Sequence, residues 1–361
     1  MMKPKYSLRA FFIGVFFLSA MLGAFAVSWR DKKLRQDSWR KLKEVGILTE
    51  VNGRYDWYVT RQRLFREDEF RLLARVEPPR SVSLFSVDKS DIATSEAKYL
   101  LPATPLTRVQ LIDISFSDGA IQEIASRTKG IEWGELLAED CNTATLRDAL
   151  KRFSVRRIKL DGERDLAISL CGGFTCLEHL DITPDNLPEN PWSVVELSRL
   201  MKLRSFSLDY VALKEEARRT SSHDSRKVSL DSLPNLIEFN LNYRSATPLF
   251  LKIESCPELS RVSLDCESIG SESWDAIERL EDLKALSLTG FKEMPTRLSE
   301  VGRNLTRIEF HFCELDDDTI NTMQGLPSLN HVTIDHCSGV SSSDLAISNL
   351  RTRVKSLTVS Q

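Results

Sequence analysis

The chain has 361 residues, a formal net charge of −3, 42% hydrophobic and 28% charged residues, 15 Gly, 13 Pro and seven Cys. This balance excludes global disorder and collagen-like or Pro/Gly-rich low complexity. The cysteines are too sparse for a disulfide-stapled mini-domain, and the near-neutral charge speaks against a dedicated nucleic-acid binder. The neutrality is a cancellation. Residues 1–46 carry ten Lys/Arg against three Asp/Glu, a formal +7, which leaves −10 for the remainder.

In chain order, residues 1–9 form a basic tail. Ala10 to Trp29 is an uncharged run of 20 residues, ten of them Phe, Ile, Val or Leu. As a helix at ~1.5 Å per residue it covers roughly 30 Å, the thickness of a hydrocarbon core. At about −0.3 to −0.6 kcal/mol each, the ten apolar residues favour insertion by roughly 3 to 6 kcal/mol. Residues 10–29 are therefore expected to be a single transmembrane helix in contact with the lipid bilayer. The alternative is a cleaved signal peptide, with Ala24-Phe25-Ala26 as the small-x-small site, which would make the protein an exported one. Three Lys/Arg precede the run and seven lie in residues 30–43. The positive-inside rule then places the body on the cytoplasmic side. Residues 30–50 read as a basic juxtamembrane segment: either residues 30–48 form a helix lying on the membrane, with Leu34, Trp39, Leu42 and Val45 within one broad face, or the stretch is a solvated stop-transfer flank. Residues 51–78 read as a helical cap, with Arg61–Arg75 as its helix, stopped by Pro78-Pro79.

From residue 79 the template L-x-x-L-x-L, with any apolar residue at its three L positions, recurs. Clear copies are Leu177-Leu180-Ile182, Leu203-Phe206-Leu208, Leu236-Phe239-Leu241, Leu259-Val262-Leu264, Leu283-Leu286-Leu288, Leu305-Ile308-Phe310, Leu329-Val332-Ile334 and Val354-Leu357-Val359. Leu106-Val109-Leu111 and Val155-Ile158-Leu160 also fit, whereas Pro79-Val82-Leu84 and Ile131-Gly134-Leu136 fit poorly. First positions step by 22 to 27 residues, with one step of 33 that holds Glu215–Lys227, read as a loop inserted near 214–228. Each copy predicts a short strand of alternating character. Helices are expected between them at 120–126, 146–153, 194–200, 274–280, 319–324 and 344–350. One copy cannot bury its own apolar face; stacked neighbours share one core.

These copies resemble the leucine-rich-repeat family over about residues 75–361. The layout is similar to small single-anchor bacterial proteins of that family. The resemblance implies an α/β solenoid, a horseshoe of about twelve copies, with strands lining the concave side and helices the convex side. The family often places Asn or Cys eight positions after the first Leu. This chain has Cys313 and Cys337 there, but Val211, Arg244, Glu267 and Phe291 in other copies. The last strand reaches Val359, and no C-terminal cap is visible in the sequence.

Solenoid geometry assigns the concave side chains. One column reads Asp161, Thr183, Asp209, Asn242, Asp265, Thr289, His311, Asp335. The next reads Gly162, Pro184, Tyr210, Tyr243, Cys266, Gly290, Phe312, His336. Rings beside carboxylates are the composition of a recognition surface. Asp209, Tyr210, Asn242, Tyr243, Asp265, His311, Phe312, Asp335 and His336 are the expected binding residues, and a protein is the expected partner. His179 and His331 are assigned to the same face. Cys313 and Cys337 are equivalent in successive copies, which puts their Cα atoms near disulfide range, and they read as two buried thiols. Asp316-Asp317-Asp318 reads as a helix N-terminus, and Asn304-Leu305-Thr306 has the form of a glycosylation acceptor, with Leu305 at a core position.

No phosphate loop, dinucleotide fingerprint or nucleophile elbow is present. The chain is accordingly read as a binding module and not an enzyme, without cofactor, metal or nucleic acid. Two further alternatives are a substrate adaptor like those of ubiquitin ligases and a metal-dependent enzyme using His311, Asp335 and His336.

Overall fold

A computed structural model describes residues 8–45, 48–49, 56–61, 66–76, 80–86, 96, 99, 106–112, 117–127, 132–139, 154–162, 176–184, 197, 200–211, 226–244, 249–292, 298, 301, 303–340 and 345–360. Alternation along each strand decides the architecture. In β12 (Arg261–Cys266) the residues switch strictly between outward and buried, and in β13 (Ala285–Thr289), β14 (Arg307–His311) and β15 (His331–Asp335) the second and fourth residues are buried. Period-two burial gives each strand one apolar face, which only a neighbouring layer can cover.

These strands belong to one 14-stranded sheet. It opens with β1 (Leu48–Thr49) antiparallel to β2 (Asp56–Arg61). It continues in parallel through β3 (Ser81–Ser86), β4 (Leu106–Ile112), β5 (Glu132–Glu139), β6 (Ser154–Gly162), β7 (His179–Pro184) and β8 (Ser205–Val211). The strands β10 (Glu238–Arg244), β12, β13, β14, β15 and β16 (Ser356–Ser360) complete it. The strands from β3 onward in this sheet fall where the template recurs. The result is a parallel-sheet solenoid, the architecture that the leucine-rich-repeat resemblance implies.

Register explains why the leucines recur. Phe206, Phe239, Val262, Leu286, Ile308, Val332 and Leu357 are successive rungs of one ladder, and Leu208, Leu241, Leu264, Leu288, Phe310, Ile334 and Val359 of the next. All but the last of each are buried, as are the first-position leucines 177, 203, 236, 259, 283, 305 and 329. Phe206 and Phe239 stack with ring centroids 5.8 Å apart. The turn before each strand is tied to the preceding copy: the Ser260 carbonyl accepts from Lys284 and Ala285, that of Lys284 from Thr306 and Arg307, and that of Thr306 from Asn330 and His331. Connecting helices lie at α3 (Asp118–Arg127), α4 (Ser271–Glu278), α5 (Asp317–Gln324) and α6 (Leu345–Arg353), overlapping four of the six expected stretches. Residues 146–153 and most of 194–200 lie outside the described residues.

Four expectations change. The copy read as Ile131-Gly134-Leu136 is displaced by two residues, because Leu106, Val109 and Leu111 face Trp133, Leu136 and Ala138. The sheet also begins earlier than residue 79. Trp57 and Val59 of β2 align with Val82 and Leu84 and are buried, so part of the stretch expected as a helical cap is strand. The cap's helix is α2 (Glu67–Leu73), shorter than Arg61–Arg75 because Arg61 is the last residue of β2. The inserted loop ends sooner than expected. Residues 226–228 open β9 (Arg226–Asp231), which pairs in parallel with β11 (Leu249–Glu254) in a separate two-stranded sheet. Its Val228, Leu230 and Leu251 are buried in the same core, and the Leu251 amide donates to Ser273 Oγ of α4 (2.7 Å).

The fourth change concerns the N-terminal region. One helix, α1 (Leu8–Glu44), runs without a break through the expected boundary at residues 29–30. Leu42 is fully buried in the solenoid core and Trp39 packs against it, whereas Leu34 and Val45 are exposed. The stretch around Ser38–Leu42 therefore docks on the body, and the four apolar residues are not presented to a membrane as one face. Among the described residues, no helix is long and apolar enough to cross a membrane. Within the run 10–29, the side chains of residues 10–15, 17, 18 and 20 are outside the described residues.

Candidate functional site

The sheet face expected to be concave is built by strand residues that alternate with the buried ladders. Its best-ordered column runs Asp209, Asn242, Asp265, Thr289, His311, Asp335 and Ser360, each the register neighbour of the next. All seven are half-buried. Strands in register lie ~4.8 Å apart, so consecutive residues in this column are lateral neighbours. The expected first column is thus assembled as drawn from Asp209 onward; Asp161 belongs to β6, but its side chain lies outside the described residues.

The second expected column divides. Tyr243 is 0% exposed and Cys266 2% exposed, so both belong to the core and not to the binding face. Phe312, at 61% exposed, and His336 do face outward. The orientations of Gly162, Pro184 and Tyr210 lie outside what is described. The division has a backbone cause. β10 and β12 continue as strand through Tyr243 and Cys266, and period two turns those side chains inward. β13, β14 and β15 stop one residue sooner. Gly290, Phe312 and His336 then adopt left-handed φ values of 76°, 55° and 52°. The inward place passes to the next residue: Phe291 and Cys313 are buried and Cys337 half-buried. The sequence does carry a signal for this. The residue eight positions after the first Leu is charged in the first class (Arg244, Glu267) and apolar or a thiol in the second.

At the C-terminal end of the face a cluster centres on Asp335. His311 Nδ1 lies 3.3 Å from its Oδ2 and His336 Nδ1 2.8 Å from its Oδ1, and Ser360 Oγ donates to Oδ1. The Ser360 hydroxyl foremost, then His311 and His336, hold the Asp335 carboxyl below the usual carboxylate range. His311 Nε2 stands 4.0 Å from Glu309 Oε2, and Glu309 is bound by Arg307 Nε at 2.7 Å. The His336 ring stacks on Phe312, centroids 5.3 Å apart and planes 24° apart. The backbone holds both rings out, since the Phe312 and His336 amides donate to the carbonyls of Asp335 and Ser360 (2.9 Å each). The side chains thus present an aromatic plate, two imidazoles and a carboxylate to solvent. Among the described residues, no group of three or more His, Cys, Asp or Glu is arranged to hold a metal ion. The two imidazoles turn the same kind of nitrogen toward one carboxylate, a hydrogen-bonded chain.

Other candidates fall elsewhere. His179 sits on the concave face opposite Arg157 and Ser205, its pKa lowered by burial and then by the Arg157 charge. Asp181 beside it is raised by burial. His331 is exposed at the start of β15. Asp316 caps α5, its carboxylate accepting from the Thr319 amide (2.7 Å) and hydroxyl (2.6 Å), and these bonds lower its pKa. Leu305 is fully buried, and Asn304 Nδ2 donates to the Glu281 carbonyl at 2.9 Å. An open groove of about 950 Å³ follows α1 past Gly23, Val27, Lys32 and Trp39 to Val76.

No family model and no curated protein matches the chain. Among solved structures it is similar to an internalin (inlF) from Listeria monocytogenes, with 14% identity over 84% of this chain and 86% of that one, TM-score 0.44. It is also similar to the mouse RP105/MD-1 complex, with 13% identity over 77% of this chain and 54% of that one, TM-score 0.40.

Proposed function

We propose that this protein is a membrane-tethered recognition module that binds a protein partner through the concave face of its solenoid, without catalysing a reaction. The observation that carries the reading is the Phe312–His336 pair. A large ring left 61% exposed, stacked on an imidazole and positioned by left-handed backbone beside Asp335 and His311, is poorly explained by packing. Such rigid amphipathic rings with polar neighbours are what interfaces use as anchors. The polar column from Asp209 to Ser360 extends the same surface across seven strands.

The tether is the N-terminal part of α1. From residue 21 to Trp29 every side chain is exposed, including Met21, Leu22, Phe25, Val27 and Trp29. A helix apolar all round has a lipid environment as its natural solvent. Lys33 Nζ lies 5.5 Å from the Trp29 ring, a pairing suited to the headgroup layer. The seven Lys/Arg of residues 30–43 favour a cytoplasmic body. Because α1 continues unbroken to the docked Leu42, the anchor would hold the solenoid at a set distance from the bilayer.

The test is photocrosslinking in native membranes. A benzophenone amino acid replaces Phe312 in one variant and exposed Lys252 of β11 in another. A discrete protein adduct from position 312 alone, lost when His311 and Asp335 are replaced by Ala with circular dichroism unchanged, supports the reading. Equal labelling from both positions refutes it. Release of the chain by alkaline carbonate refutes the anchor, and a mature chain beginning at Val27 establishes the exported form.

A further inference from the structure

The two classes of strand ending bring together two thiols that the recognition reading does not use. Cys313 and Cys337 take the inward place just after the left-handed residues Phe312 and His336. They are lateral neighbours: the Ser338 amide donates to the Cys313 carbonyl at 2.9 Å, and Glu314 pairs with Ser338 in a parallel bridge. At a strand spacing of ~4.8 Å, their Cα atoms fall inside the 4.4–6.8 Å span a disulfide requires. Both thiols are free.

Their surroundings differ in the way a reactive pair needs. Cys313 is 1% exposed, with its Sγ 3.3 Å from the Leu288 carbonyl and 3.4 Å from that of His311. Cys337 is reachable from solvent at the rim, its Sγ 3.4 Å from the Asp335 carbonyl. A hydrogen bond from the Cys313 thiol brings the Cys337 pKa down to about 6, and the same bond, together with burial, raises that of Cys313. Cys256 and Cys266 contrast with this pair. Cys256 and Cys266 are buried with raised pKa values, the latter to about 12, from loss of solvent.

We infer that Cys313 and Cys337 form a thiol–disulfide exchange site, with Cys337 as the attacking thiol and Cys313 as the resolving one. The co-reactant is a small-molecule disulfide of the glutathione class. The Cys337 thiolate attacks one sulfur of that disulfide. Its S–S bond breaks, and one thiolate leaves with the bonding electron pair. Cys313 then gives up its proton to solvent and attacks Cys337 Sγ, expelling the second thiolate. Two protein thiols are oxidised to one intrachain disulfide, and one small disulfide is reduced to two thiols. Nothing in this step depends on the concave face having a partner.

The experiment uses the full chain, purified reduced in detergent and equilibrated in glutathione buffers of rising disulfide fraction. Acid quenching, alkylation with N-ethylmaleimide, proteolysis and mass spectrometry then report each cysteine. The expected result is a peptide pair linked through Cys313 and Cys337 before any other cysteine is modified. In Cys313→Ser, Cys337 should stop at the glutathione adduct. It should form that adduct at least ~10-fold faster than Cys313 does in Cys337→Ser, because Cys337 is reachable from solvent and Cys313 is buried. Alkylation of Cys313 and Cys337 in the unmodified chain as complete as that of Cys256 and Cys266 at every ratio would overturn the inference. Equal adduct rates in the two variants would overturn the assigned roles. The measurement on the unmodified chain stands even if a serine variant misfolds.

Discussion

The division of the second column makes a quantitative prediction, because two aromatic residues that the repeat template treats as equivalent should respond oppositely to truncation. Tyr243 is 0% exposed at the end of β10 and aligns with Cys266 of β12, itself buried. Tyr243→Ala therefore removes a core ring from a stack that neighbouring copies hold in place and leaves a cavity, at a cost of about 3 to 5 kcal/mol. Phe312 is 61% exposed, and its main stabilising contact is the stack on His336. Phe312→Ala should cost no more than about 1.5 kcal/mol. In urea, with a slope of ~3 kcal/mol per molar, Tyr243→Ala should lower the unfolding midpoint by about 1 to 2 M and Phe312→Ala by less than about 0.5 M. Unfolding followed by circular dichroism gives both values. Partner binding, read by co-isolation from detergent-solubilised membranes, should show the reverse order: weakened in Phe312→Ala, retained in Tyr243→Ala below its transition. If Tyr243→Ala unfolds with the unmodified chain while Phe312→Ala loses stability, the assignment of inward and outward places after the strands is wrong.

Further predictions follow from single positions. Gly339 has a φ of 81°, and a Cβ there would lie 1.9 Å from the Leu315 carbonyl oxygen; Gly339→Ala should cost at least about 2 kcal/mol, visible as a lowered midpoint in thermal unfolding. Asp316→Ala removes the cap of α5 and should cost about 1 kcal/mol at pH 7. Since the folded pKa of Asp316 is lowered from 3.8, its contribution is full above that value and disappears as pH falls through the lower folded pKa, so the variant and the unmodified chain should converge in strong acid. For Cys337 the alkylation rate should reach half its maximum near pH 6, the folded pKa of about 6, and Cys313→Ser should move that midpoint up toward the ordinary thiol value. A midpoint near pH 8.5 in the unmodified chain would remove the hydrogen-bonded thiolate from the account.

Much of this molecule is legible in one dimension because its core is a repeat. A parallel ladder requires the same inward positions in each copy, so Leu-x-x-Leu-x-Leu at a steady spacing specifies strand, register and face together. The first concave column, from Asp209 to Asp335, follows from that alone. The template does not reach beyond the last inward residue of each strand. Whether the chain there stays extended, burying Tyr243 and Cys266, or turns left-handed, exposing Phe312 and His336, depends on which of two adjacent side chains the neighbouring copies accept. The same holds at Trp133, where pairing with β4 and not the nearest apolar triplet set the register. It holds again along α1, whose uncharged run is plain in the sequence. Its basic second half shows nothing in the sequence of the docking of Leu42 on the core. Periodicity records which faces must be buried. Only packing against a specific neighbour selects which residue fills the place where the period ends.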